Sequence, residues 1–179
     1  MPGFYELGPL RQTAVNLFYG WGYNFYRQEN QFRADDLLVR AKAGALLLQA
    51  RDAVAAAEAA YRREKLPPPS REKPRPDAAA VAGAQALERM GQGIAALEGQ
   101  IRAQPVPEGD RMTQRFRSEA QGLVQLLQAD EVLVGQAELL RAMLAEKDAG
   151  WMLDHAAAVA EGVKAISQTL RDRQAVLLG

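Results

Sequence analysis

Along most of this chain apolar residues return at intervals of three and four, the period of an amphipathic helix. From about Asp35 to Lys65 the stripe is Leu38, Ala41, Ala45, Leu48, Ala55 and Ala59, with a step of seven where it skips Asp52. These positions share one face, which is the expected core face. Alanine is the best helix former and fills this stretch. Pro67, Pro68 and Pro69 end it, because proline lacks the amide donor and clashes with the preceding turn. Residues 66–76 hold five prolines and several charges, which reads as an extended, solvated linker.

Asp77 is a good N-cap for a second helix with the stripe Val81, Ala84, Leu87, Gly91, Ile94, Leu97 and Ile101, ended by Pro105 and Pro107. A third helix is expected from Asp110 to about Lys147, with Met112, Phe116, Leu123, Leu126, Leu127, Leu133, Val134, Ala137, Leu140 and Leu144 along its seam. A turn at Asp148–Gly150 leads to a fourth, whose Met152, Ala156, Val159, Val163, Ile166, Leu170 and Leu177 keep a heptad rhythm that skips Arg173. If that turn does not form, residues 111–177 make one long helix and an oligomeric coiled coil. Helices of about 28–38 residues span roughly 42–57 Å. Similar lengths and short connections predict an all-α, antiparallel (up-down-up-down) four-helix bundle over residues 34–179, with residues 1–33 as an aromatic-rich N-terminal extension.

Composition narrows the chemistry. A chain of 179 residues, 48% hydrophobic and 25% charged, suits one globular domain. Lys+Arg and Asp+Glu both total 22, so the basic excess of a dedicated nucleic-acid binder is missing. The chain has no cysteine, which removes disulfides, thiolate metal sites and iron–sulfur clusters. No apolar run approaches the ~18–20 residues needed to span a bilayer, and the start lacks a secretory signal pattern. The expected location is therefore cytoplasmic.

His155 is the only histidine, so di-iron and three-histidine zinc sites are not available. It is expected as a surface or boundary residue. No phosphate loop or nucleophile elbow is present, and no cofactor, metal or catalytic residue is predicted. Two acidic residues interrupt apolar stripes, Asp52 and Asp130. The bundle topology puts them at comparable heights, with Asp130 near Ser167–Thr169. They either lean to solvent or form a polar layer that fixes register or binds a ligand or cation. Arg173 is expected to snorkel outward.

The stretch Asn16–Arg27 is the most unusual, with six aromatics in twelve residues. It folds over one end of the bundle as a small core or forms a contact surface, since Tyr, Trp and Arg dominate interface hot spots. A membrane-interface anchor lacks the Lys/Arg-rich polar face it needs, and base or sugar stacking does not suit the charge balance. Four apolar stripes already suffice to close a core from Asp35 onward, which favours the contact surface. The expected partner site is Phe18, Tyr19, Trp21, Tyr23, Phe25, Tyr26 and Arg27. The function that follows is a non-enzymatic protein-interaction module, an adaptor, assembly factor or structural subunit, binding a protein partner or a second copy. The alternative is a ligand- or metal-binding bundle, or an enzyme, with a polar site around Asp52 and Asp130.

Overall fold

The computed structural model describes residues 3–19, 32–71, 74–104 and 120–178. Their regular structure is all helix: α1 (Leu7–Tyr19), α2 (Phe32–Lys65), α3 (Ala78–Ala103), α4 (Ala120–Leu144), α5 (Ala149–Asp154) and α6 (Ala156–Leu178). No described helix is long and apolar enough to cross a membrane.

Local chemistry sets the helix ends. α2 closes with Arg62, Arg63 and Lys65 in its last turn, where cations favour the helix dipole, and the three prolines follow. Asp77 caps α3 by accepting from the amides of Ala79 and Ala80. α4 ends in a turn at residues 145–148 in which Glu146 takes φ 58°, the left-handed conformation that often closes a helix. Asp148 then caps α5, accepting from the Trp151 amide at 2.8 Å. The expected turn therefore lies slightly earlier, and Gly150 sits inside the new helix. The expected fourth helix is also divided. At His155 the backbone leaves helical geometry (φ −106°, ψ 17°), and its amide turns back to the carbonyls of Leu153 and Trp151. Met152 and Val159 stay buried on either side, so the apolar rhythm runs through the break unchanged.

α2 packs on α3 and α4, and α6 packs on the same two helices. Arg40, near the start of α2, donates to the carbonyl of Gln104 just past α3, and Gln104 Nε2 donates to the Leu170 carbonyl of α6. The N-terminal end of α2 thus meets the C-terminal ends of α3 and α6. The described parts of the stripes expected on α3, α4 and α6 largely face the core, with Leu87, Ile94, Leu97, Leu133, Val134, Leu140, Ile166 and Leu170 buried. The expected start of the third helix at Asp110, with Met112, Phe116 and the Leu123 side chain, lies outside the described residues.

Two expectations are corrected. On α2 the core face is Val39, Ala43, Leu47, Ala50, Val54 and Ala57, whereas Ala41, Ala45, Leu48, Ala55 and Ala59 are exposed. The helix carries apolar residues on two faces, and periodicity alone does not say which one packs. The N-terminal helix is not surplus either. Leu10, Ala14 and Phe18 are spaced by four, buried, and carried on a helix packed against α4. Enclosing a Leu and a Phe side chain contributes about 1.5–3 kcal/mol each. Gly135 makes the contact possible, because a Cβ there would collide with the backbone of Leu10.

Candidate functional site

Asp130, Arg173 and Asp36 form a buried charged layer. Arg173 Nε donates to Asp130 Oδ1 at 2.6 Å, and its Nη2 donates to Asp36 Oδ1. Asp36 Oδ2 also accepts from Arg40 Nη2 at 2.6 Å. Arg173 and Asp130 are 0% exposed. Two carboxylates and two guanidiniums balance, which is what makes burial of four charges tolerable. Desolvation works to lower the Arg173 pKa, but the fields and hydrogen bonds of Asp130, then Asp36, outweigh it and hold the pKa above the ordinary arginine value. The expectation that Arg173 snorkels outward is overturned: two acidic partners on other helices hold it inside. Asp130 meets it rather than Ser167–Thr169, one turn earlier.

Asp52 does not join this layer. Its side chain is 62% exposed and pairs with neighbouring Arg51. It lies sixteen residues beyond Asp36, about 24 Å along α2. The anticipated shared polar site of Asp52 and Asp130 is therefore not formed. Among the described residues no group of three or more His, Cys, Asp or Glu side chains could hold a metal ion. His155 is exposed as expected, stacked on Trp151 at 4.0 Å between ring centroids. Ser167 is twelve residues further along the chain, about 18 Å at helical rise, and donates to Gln100, so it makes no pair with His155.

Of the aromatic candidates, Phe18 is inside the core at 1% exposure, so its ring is not a contact surface. Its spacing from Leu10 and Ala14 is the sequence signal for that. Tyr19 ends α1, and its side chain lies outside the described residues, as do Trp21, Tyr23, Phe25, Tyr26 and Arg27 entirely.

The concave surface on this side of the molecule is a groove of about 620 Å³ bounded by the N-terminal turn, α4 and α6. Gln125, Gln128, Ala129, Val132 and Gln136 line it from α4, and Ala165, Gln168, Thr169, Asp172 and Val176 from α6. Each set falls at positions i, i+3, i+4, i+7 and i+11, so each is one helix face. Phe4, Tyr5, Leu7 and Arg11 form the third wall. That wall is held by specific contacts. Gln136 Nε2 donates to the Phe4 carbonyl at 2.9 Å, while its Oε1 accepts from Thr169 Oγ1 at 2.9 Å. Arg11 Nε donates to Glu131 at 2.5 Å. The Phe4 ring rests against Gly162, where a Cβ would come within 2.5 Å of it. Sequence reasoning did not single out this groove. Its signals are the glutamines at helical spacing and two glycines, Gly135 and Gly162, inside helices.

No family model, curated protein or solved structure matches this chain.

Proposed function

We propose that this protein is a non-enzymatic interaction module that receives an amphipathic helix of a protein partner in the α4–α6 groove. The observation that carries this reading is the groove itself. Phe4, Leu7, Ala129, Val132, Ala165 and Val176 give the groove apolar surface, Gln125, Gln128 and Gln168 add neutral amides, and Arg11 and Asp172 are its charges, an arrangement suited to seating an amphipathic helix. The α4 and α6 faces each cover eleven residue steps, about 16 Å or three helical turns. Two antiparallel helices present a natural seat for a third, by ridges into grooves. α1 already occupies the neighbouring side of α4 in this way. In this reading α2, α3, α4 and α6 are an up-down-up-down scaffold. The aromatic residues Tyr19, Trp21, Tyr23, Phe25 and Tyr26, together with Arg27, add a second contact.

A photo-crosslinking residue at Gln168, compared with one at Gln92 on the far helix α3, tests it in the native cell. The expected result is one partner captured from Gln168 and not from Gln92, and lost on Ala129→Trp with the melting temperature unchanged. Equal capture from both positions, or none, sinks the reading.

A further inference from the structure

α2 is apolar on two opposite faces, and among the described residues only one is packed into the core. Val39 is in the core, and Leu48 follows nine residues later, about two and a half turns on, so it points the other way. On that outer face Leu37 is 50% and Leu48 37% exposed. With Ala41 and Gly44 they line a groove of about 480 Å³ between α2 and α3. The same stripe continues through Asp52, Ala55 and Ala59, all exposed. From Leu37 to Ala59 its intervals are four, three, four, four, three and four. That spacing reads the same in both directions about Leu48.

We propose that this face binds a second copy of the chain, α2 against α2 in antiparallel orientation, with the two-fold axis at Leu48. A symmetric interface needs a surface complementary to itself, and the palindromic spacing supplies one. In this register Leu48 meets its own counterpart. Ala41 meets the partner's Ala55, and Leu37 meets the partner's Ala59. The small residues let the two backbones approach.

The one charge in the stripe selects the same register. The partner's Asp52 falls opposite Gly44, where a Cβ would meet nothing within 4 Å, so there is room for a carboxylate. Arg102 of α3 lines the same groove beside Gly44, with its side chain 78% exposed. Its Nη2 pairs with Glu98, and its remaining guanidinium donors can take the partner's Asp52 carboxylate in exchange for the Asp52–Arg51 contact, a contact that symmetry makes twice. This surface lies on α2 and α3, apart from the α4–α6 groove, and does not depend on the function proposed above.

Light scattering on the eluting full-length protein, across a concentration series, should give twice the monomer mass of 19.6 kDa. Leu48→Glu should return it to the monomer mass with its circular-dichroism melt retained. Because the chain has no cysteine, Leu48→Cys introduces a unique thiol. A short bis-maleimide should link two such chains. Leu37→Cys, which this register holds about 33 Å from its counterpart, should not link. A wild-type protein that stays monomeric, including one whose Leu48 is covered by another protein, overturns the proposal. So does a dimer indifferent to Leu48→Glu, or equal linking from positions 37 and 48. The cysteine pair decides the matter if Leu48→Glu lowers the melt.

Discussion

Arg173 and Asp130, forty-three residues apart, meet at 2.6 Å with neither side chain reached by solvent. Asp36, a further ninety-four residues back along the chain, closes on the same guanidinium. One cation thus joins α2, α4 and α6. A slip of any of these helices by one turn, about 5.4 Å, would leave at least one buried charge without its partner.

Asp130→Ala should therefore cost about 3–5 kcal/mol, the range for stranding a buried charge. Glu64→Ala should stay within about 0.5 kcal/mol, because that side chain is 71% exposed and pairs with neighbouring Lys65 at the exposed end of α2. Urea unfolding of the two variants checks this contrast. Equal effects would mean that the layer does not lock the helices.

Arg173→Lys keeps the charge but loses the planar fork that reaches two carboxylates, and it should cost about 1–3 kcal/mol at neutral pH. The pH profile separates the two cations. The folded-state pKa of Arg173 is raised above its unfolded value. Its stabilisation is therefore complete below the unfolded value and is lost only as pH rises through the folded one. That window is strongly alkaline, so wild-type stability shows no step from Arg173 near neutrality. A lysine between the same carboxylates has the same sign but titrates from about 10.4. Stability of Arg173→Lys should therefore fall further as pH is taken past that point, and unfolding at pH 7 and under alkaline conditions measures it. An identical alkaline response in wild type and variant would contradict the pairing.

Phe18→Ala should destabilise the fold by about 3–5 kcal/mol, as for other large-to-small core substitutions. Gly162→Leu acts elsewhere on the same segment. It displaces the Phe4 ring and should loosen the N-terminal turn at about 1–3 kcal/mol, the usual range for overpacking. Thermal melts give both values. Amide exchange at the start of α1 should rise in the glycine variant while α3 keeps its protection. Unchanged melts for Phe18→Ala would return that ring to the list of free contact residues.

The linker gives a proteolysis test. Residues 67–71 are exposed and carry no regular structure, so limited trypsin should cut first after Arg71. Lys73 and Arg75 each precede a proline and resist the enzyme. The two halves should remain associated through the α2–α3 and α2–α4 packing until denatured. Gel filtration of the nicked protein, compared before and after urea, reads this out.

By itself the sequence determined that the chain is helical and where α2 stops and α3 starts, because those features depend on neighbours in the chain; the turn before Asp148 and the break at His155 fall where the pattern did not put them. Alanine content, the prolines at 67–69, the Asp77 cap and the three-and-four periodicity all act within a few residues. It also excluded thiolate chemistry outright. Tertiary structure decided everything that required comparing distant segments. α2 has apolar residues on opposite faces, so local pattern could not say that Val39 and Ala43 pack while Ala41 and Leu48 do not. α1 joined the core because Gly135 admits the Leu10 backbone, a fit between residues 125 positions apart. Arg173 reads as a solvated interruption until Asp36 and Asp130 arrive from two other helices. The energy of a buried ion pair depends on geometry and desolvation, and those exist only after the helices have packed.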